Sequence, residues 1–438
     1  MIGILASRAD AASVGIAREL VAVATGERPP SVLDDRYQLD GAELVVVDEL
    51  HIELTGVDAR FETTPAWIAV VSRHAGDTGP LLTVHIPGNI DTAEFGGEPR
   101  TVPPACPNAM RAYRHAVAEY APDGYDVGIE CTHHGPTDSD LPIMFVEVGS
   151  DEAQWSDEAA ATAVARALWS VRTEPANRPL QLVGLGGGHY APRFERVLTE
   201  TSWAVGHIAP DWGLESLDTD GLRQVIPGLF DATQTTYCLI DGDHPELGEL
   251  VDLLGYRVVS ERWLRATSRL GEPVVDALEA EFETLGDGLT LGDRRVESPG
   301  AVEYIELPQS LLADCDAIDP AATREAVAAS TVAYTLDAEG ARPDGRFAIV
   351  DRADLEAIIS ALMDILSQKY DDVTRTDGEI TVRRRTFNPE AATTLGVPEG
   401  PLFGRLAAGE SVTVDGRQID PADVTADHTV TYALPPDV

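Results

Sequence analysis

Lysine is all but missing from this chain: Lys369 is the only one, and arginine supplies the rest of the 32 basic residues. Against them stand 74 Asp and Glu, for a formal net charge of −42. The carboxylates are spread along the whole length rather than gathered in one block, which excludes an acidic interaction tail. So large an excess acts on solubility and association rather than on fold. It points to a cytosol of very high salt, where the Debye length shrinks to about 3 Å and self-repulsion is screened. Cysteine is scarce as well. Cys106, Cys131, Cys238 and Cys315 lie far apart with no Cys-x-x-Cys pair, which excludes a disulfide framework and a thiolate zinc knuckle. No apolar run approaches the roughly 18 residues of a membrane span. The opening Met1-Ile2-Gly3-Ile4-Leu5-Ala6-Ser7-Arg8 lacks a basic segment followed by a long apolar one, so no signal peptide is read there. A soluble, cytoplasmic protein is expected.

What is present is ordinary for a globular protein, with 44% hydrophobic and 24% charged residues. A length of 438 residues predicts two or three domains. Short apolar runs at 2–6, 44–47, 67–71, 81–86, 127–129, 143–148, 180–185, 204–208, 237–240 and 256–259 read as strands. Helical patterns lie between them at 11–24, 108–120, 153–171, 193–201 and 246–254. Continuous β-branched runs alternating with helices predict a buried, mixed or largely parallel sheet covered on both faces, a three-layer α/β domain over residues 1–260. Residues 261–438 read as a smaller α+β region, with a helix at 351–368 and a hairpin at 373–386 turning around Thr376-Asp377-Gly378. No chemistry is legible in that second region.

The chemistry gathers in two short segments. Glu130-Cys131-Thr132-His133-His134-Gly135-Pro136 follows an apolar run, and so does Gly184-Leu185-Gly186-Gly187-Gly188-His189-Tyr190-Ala191-Pro192. Six of the ten histidines (His74, His85, His133, His134, His189 and His207) fall at or just past the end of such a run. In open α/β sheets that is where loops converge on ligands. Neutral imidazoles with a carboxylate suit Zn²⁺, whose catalytic sites use three protein ligands and keep one position open. Without metal, one histidine oriented by Glu130 or Glu147 serves as a general base. The spacing is not His-Glu-x-x-His, and the residues alone do not choose between the two. Gly186, Gly187 and Gly188, before a helix beginning near Pro192, suit either an oxyanion cradle or a tight strand-to-helix turn. Neither Gly-x-Gly-x-x-Gly nor a Walker-type segment occurs, so no nucleotide cofactor is expected.

Six ordered segments carry a resemblance. They are Ser72-Arg73-His74, Thr83-Val84-His85 with Gly88-Asn89, and Thr132-His133-His134-Gly135-Pro136-Thr137. Then come Glu147-Val148-Gly149-Ser150 with Trp155, Gly186-Gly187-Gly188-His189-Tyr190-Ala191-Pro192, and Gly206-His207-Ile208 with Pro210. Together they resemble the archaeal and plant type of D-aminoacyl-tRNA deacylase, here as a haloarchaeal member with a C-terminal extension. The resemblance implies a three-layer phosphorylase/hydrolase-like core with a mixed sheet. It also implies zinc-dependent hydrolysis of the ester joining a D-amino acid to the 3′-terminal ribose of tRNA. Where the family pattern tends to carry lysine, this chain has Asp211 and the stretch Asp241-Gly242-Asp243, which puts tRNA contact at those positions in doubt. Cys131 is not counted as a ligand. With phosphate contacts weak in high salt, recognition would lean on stacking, for which Trp155, Tyr190 and Trp212 are available.

The expected site follows. His74, His133, His189 and His207 are the metal ligands, and His134, Glu130 and Glu147 are the catalytic groups. Gly186, Gly187, Gly188, Tyr190 and Arg73 are the substrate contacts. His74, His133, His134, His189 and His207 are expected to face one cleft at the carboxyl ends of the strands. The partner is D-aminoacyl-tRNA, with no membrane or protein partner and a monomeric state. The alternatives are a zinc-dependent amidase or peptidase acting on small substrates, and a non-catalytic tRNA-binding module.

Overall fold

The computed structural model describes every residue except Ala338, Asp377 and 436–438, so the expected hairpin turn at Asp377 lies outside the described residues. The chain divides into two compact units, Met1–Ser268 and Arg269–Val438. No helix among the described residues is long and apolar enough to cross a membrane.

The first unit is built on two sheets. β1 (Ile2–Ser7), β2 (Arg36–Leu39), β3 (Ala42–Val47), β4 (Ile68–Arg73), β5 (Leu81–His85), β6 (Asp126–Ile129) and β7 (Ile143–Gly149) form a seven-stranded mixed sheet in the order β2-β3-β1-β4-β7-β5-β6. Every residue of β1, β3 and β7 is buried, which is what near-continuous apolar runs in central strands require. The helices α1 (Ala11–Thr25), α2 (Pro107–Tyr120), α3 (Glu152–Trp155) and α4 (Glu158–Val171) come next, with α4 packed against both α1 and α2. Asp10 caps α1 by accepting from Ser13 N, and its other oxygen accepts from Arg73 N at the end of β4. The stretch expected as one helix over 153–171 is broken at Ser156. Asp157 there turns its carboxylate back to cap a new helix at Ala159 N.

The strands expected later in the chain do not join this sheet. β8 (Gln181–Gly186), β9 (Ala204–Ala209), β10 (Tyr237–Asp241) and β11 (Arg257–Val258) make a second sheet, all parallel, in the order β11-β10-β8-β9. Its core includes Val183, Leu185, Ile226, Leu229, Phe230 and Val251. Between these strands lie α5 (Pro192–Glu200), α6 (Asp211–Glu215), α7 (Thr219–Thr233) and α8 (Pro245–Leu253), and α9 (Glu261–Leu270) follows. The segment after β6 bridges the two sheets. Cys131 N donates to His189 O at 2.7 Å, Thr132 N donates to Ile208 O at 2.8 Å, and Pro87 pairs with His133.

In the Arg269–Val438 unit, an antiparallel sheet of strands Leu289–Leu291, Glu303–Glu306, Ala333–Leu336 and Pro343–Ile349 packs with the helix Arg352–Leu366 around Leu312, Phe347, Ile358 and Leu362. The hairpin strands Asp372–Thr376 and Glu379–Phe387 are joined in their sheet by Thr425–Ala433. Lys369, the lone lysine, donates to Asp314 at 2.6 Å, and the same carboxylate accepts from the hydroxyls of Tyr370 and Tyr432.

Candidate active site

Register places the first acidic group. Ser72 on β4 and Thr83 on β5 both stand opposite Glu147 on β7. Directly paired residues share a face of a sheet, so Ser72 Oγ reaches Glu147 Oε1 at 2.6 Å. Two residues further along the same face of β5, His85 stands opposite Phe145 and stacks on its ring with centroids 5.3 Å apart. β5 and β6 run opposite to β4 and β7. The site therefore does not lie along a single carboxyl edge, and this corrects the expectation of one cleft at the carboxyl ends of the strands. His74 arrives from the end of β4, Glu147 from within β7, and His85 and Glu130 from the far ends of β5 and β6.

The bridging segment supplies the paired imidazoles. His134 has φ +50°, in the left-handed region that a bulky side chain rarely enters, and conformations of this kind cluster at functional sites. Gly135 follows by necessity, because a Cβ there would sit 2.6 Å from Gly97 N. His133 donates from Nδ1 to Cys131 O at 2.8 Å, and His134 donates from Nδ1 to Gly135 O at 2.7 Å. With the proton on Nδ1, each neutral ring keeps an unprotonated Nε2. His134 Nε2 lies 3.2 Å from His85 Nε2, and the Nδ1 of His85 has no partner. Burial pushes the pKa values of His85 and His134 well down and lowers that of His133, so all three imidazoles are neutral.

The neighbouring half of the site is charged. Glu130 accepts from His189 Nε2 at 2.8 Å, and its other oxygen lies 3.2 Å from His74 Nδ1. Glu147 approaches the same His74 nitrogen at 3.5 Å. Burial would lower His74, but the two carboxylates outweigh it and push its pKa up to about 10. Burial would raise Glu130, yet its bonds to His189 and His74 hold it well below the usual carboxylate range. For Glu147 burial wins, and its carboxyl is pushed up to about 7 despite the hydrogen bonds from His74 and Ser72.

His74, His133, His134, His189, Glu147 and Arg73 line one cleft of about 390 Å³, together with His51, Phe95 and the apolar Leu50 and Ile52. Of the five histidines expected there, His207 alone stays out of it. It is fully buried within β9, where Nε2 donates to Pro103 O at 2.8 Å and Nδ1 accepts from Thr132 Oγ1 at 3.1 Å. With both nitrogens committed it has no lone pair for a metal. It ties Thr132, the residue before His133, to β9.

The other expected contacts divide. Tyr190 reaches His74 Nε2 at 3.3 Å through its hydroxyl and sets its ring edge-on to His189. Arg73 lies over the Trp155 ring at 5.1 Å, and Trp155 Nε1 donates to His74 O at 2.9 Å. Gly186 and Gly187 serve a close approach. Both have left-handed φ, and a Cβ would meet Asp241 O at 2.2 Å and Asp241 Oδ2 at 2.6 Å respectively. With the carboxylates of Asp241 and Asp211 beside it, that end of the run repels an anion; only Gly188 is open. Cys131 Sγ sits 3.7 Å from His189 Nδ1, and burial pushes its thiol up to about 12.

Among the described residues, three groups of ligand atoms lie close enough to hold a metal: His85, His133 and His134; Cys131, His133 and His189; and His74, Glu130 and Glu147. The first fits a borderline cation best. Metal ligands must be deprotonated, and only there are all three donors imidazoles held neutral by burial, with their ligand atoms within 4.8 Å of one another. The 3.2 Å between His85 and His134 Nε2 also matches the edge of a tetrahedron with metal–nitrogen bonds of about 2.0–2.1 Å.

A family model described as D-aminoacyl-tRNA deacylase matches residues 61–255, a span that holds every one of these ligand groups. A Halobacterium salinarum protein named D-aminoacyl-tRNA deacylase is 45% identical over 431 residues, covering 98% of this chain and 94% of its own length. The chain belongs to the D-aminoacyl-tRNA deacylase family. A Halorubrum lacusprofundi relative of the same name is 42% identical and spans 99% of this chain and 97% of its own. One from Methanoregula boonei is 31% identical over 87% of this chain and 88% of its own. A crystal structure described as a conserved protein of unknown function superposes with TM-score 0.54 at 27% identity, covering 60% of this chain and 96% of that one. The match to the halophilic family members runs through the Arg269–Val438 unit as well, so that unit is shared with them. The cleft adds two residues absent from the expected site, His51 and Phe95, and the buried His85 stands behind it against His133 and His134. His85 had a signal, since Thr83-Val84-His85 is one of the six segments, but His51 and Phe95 had none.

Proposed function

We propose that this protein hydrolyses the ester between a D-amino acid and the 3′-terminal ribose of tRNA, releasing free amino acid and tRNA. The observation that carries this reading is the histidine–glutamate cleft itself, found in a chain 45% identical over nearly its whole length to a D-aminoacyl-tRNA deacylase. Zinc is the metal we assign, held by His85, His133 and His134. When bound, it supplies Lewis acidity that polarises a carbonyl and acidifies water. His134, expected as a proton carrier, is reassigned to metal holding because its Nδ1 proton is fixed on Gly135 O.

Proton handling falls to the charged half. Glu147, with its carboxyl near neutrality, is the general base that takes a proton from the attacking water, as a base poised near the working pH does best. Ser72 and His74 hold its two oxygens in place. Glu130 stays ionised and orients His189 and His74. Arg73, Tyr190 and the open Gly188 face the substrate. We further read the Met1–Ser268 unit as a phosphorylase/hydrolase-like core on the strength of its mixed sheet and flanking helices, and the protein as a cytoplasmic monomer. Incubation with D-tyrosyl-tRNA in molar KCl, beside N-acyl amino acids and short peptides, tests the activity. Loss of the tRNA ester alone is expected, and cleavage of the small amides with the ester intact would overturn it.

A further inference from the structure

Of the nine phenylalanines, Phe95 is the only one whose ring is exposed, at 66%. It stands at the mouth of the cleft that holds His133, His134 and His189. Its loop is held firmly. Gly135 N, next to His134, donates to Phe95 O at 3.1 Å, and the buried Asn89 donates through Nδ2 to Gly96 O at 2.9 Å and Glu98 O at 3.2 Å. Glu98 N donates to Thr137 Oγ1 at 2.8 Å, and Gly96 packs so tightly that a Cβ would meet Ile52 O at 1.9 Å. An apolar ring is thus displayed to water on a rigid mount bonded to the catalytic segment itself. The other aromatics near the site are engaged: Tyr190 with His74 and His189, and Trp155 with His74 O and Arg73. Trp212 is exposed but does not line the cleft.

We propose that Phe95 is the stacking platform for the terminal purine base of the aminoacylated RNA end, an inference that rests on the deacylase reading above. The scissile ester sits on the ribose that carries this base, so a ligand whose ester reaches the histidines brings its base to the cleft mouth. An unpaired 3′ end leaves both faces of that base free to stack on an aromatic side chain. A net charge of −42 and a single lysine leave little phosphate attraction to draw on. Stacking needs no counterion release and so survives molar salt, where the electrostatic contribution vanishes.

The test is steady-state hydrolysis of D-tyrosyl-tRNA in molar KCl by the full chain and by Phe95→Ala, Phe95→Leu and Phe95→Trp. Base stacking of ordinary strength predicts that Phe95→Ala raises KM by about 5- to 140-fold, with kcat within about threefold, the pattern of lost uniform binding. Phe95→Trp should restore KM, whereas Phe95→Leu, which keeps apolar bulk without a π-face, should not. Binding of a hydrolysis-resistant 3′-amide-linked D-aminoacyl-adenosine, with and without its base, is measured beside this. The full ligand should bind Phe95→Ala more weakly than wild type, and the base-less ligand should bind both equally. An unchanged KM in Phe95→Ala, or Phe95→Leu equal to wild type, would overturn the proposal while leaving the deacylase reading intact. A wild type inactive on D-tyrosyl-tRNA refutes that reading instead, and the binding comparison, which needs no turnover, still decides whether Phe95 holds the base.

Discussion

His207 offers the sharpest separation between a structural and a metal-binding histidine. Its side chain is fully buried, with Nε2 bonded to Pro103 O and Nδ1 to Thr132 Oγ1. Replacing it by alanine strips both partners. Each buried polar group left unpaired costs about 1–3 kcal/mol, and the cavity adds to this as for other large-to-small core changes. Water entering the space relieves part of the loss, for a net cost of about 3–5 kcal/mol. In a unit of this size that lowers Tm by about 6–20 °C. Calorimetry on His207→Ala in molar KCl reads the shift, and metal analysis of the same sample reads its zinc. The expected result is a large loss of stability with zinc per folded chain unchanged. Zinc lost with little change in Tm would show that His207 is a ligand after all.

Acid should reveal the same residue. Burial pushes the His207 pKa down to about 4 from 6.5. A base depressed in this way contributes stability that is fully present above pH 6.5 and lost as pH falls toward 4, about 3 kcal/mol at roughly 1.36 kcal/mol per unit of pH. His207→Ala should therefore lose less further stability over that range than wild type does. Glu147→Gln should fold normally and lower kcat by about 10²–10⁴-fold. The wild-type rate should rise with pH through about 7 as the Glu147 carboxyl ionises, and a pH profile of kcat/KM that keeps this limb in the variant would count against its role as base. His133→Ala should lose bound zinc, seen by elemental analysis, while far-UV circular dichroism stays unchanged. In the second unit, Lys369→Met leaves Asp314, a half-buried carboxylate, without its cation. Denaturant titration should show that unit destabilised by about 1–3 kcal/mol.

Most elements of the first unit are legible because parallel strands buried on both faces write themselves as apolar runs. The runs at 143–148 and 204–208 match β7 and β9 to within a residue. How strands pair is not written locally. Nothing in the run at 180–185 says that it seeds a second sheet, since pairing is settled by packing of residues far apart in sequence. α7 escaped because Pro227 and Gly228 interrupt its pattern, although Asp218 caps it and Ile226, Leu229 and Phe230 anchor it. Most of the histidine cluster was legible, because imidazoles at strand ends are chemically conspicuous, and five of the six so placed do come together. Roles within it were not, because they depend on which ring nitrogen is already bonded. His134 and His207 look alike at the end of a run, yet one lines the cleft with its Nε2 beside another imidazole and the other is fully buried with its nitrogens bonded to Pro103 O and Thr132 Oγ1. His51, at the start of a short 3-10 turn of helix, and Phe95, in a turn, are brought to the cleft only by the folded chain.

The central claim is that the histidine–glutamate cleft hydrolyses a D-aminoacyl ester on tRNA. It is tested most directly by following D-tyrosyl-tRNA and L-tyrosyl-tRNA side by side in molar KCl, with wild type, Glu147→Gln and an enzyme-free control. The account predicts rapid loss of the D-ester with wild type alone and survival of the L-ester in every sample. Equal decay of both esters at the enzyme-free rate would contradict it, and so would full activity in Glu147→Gln.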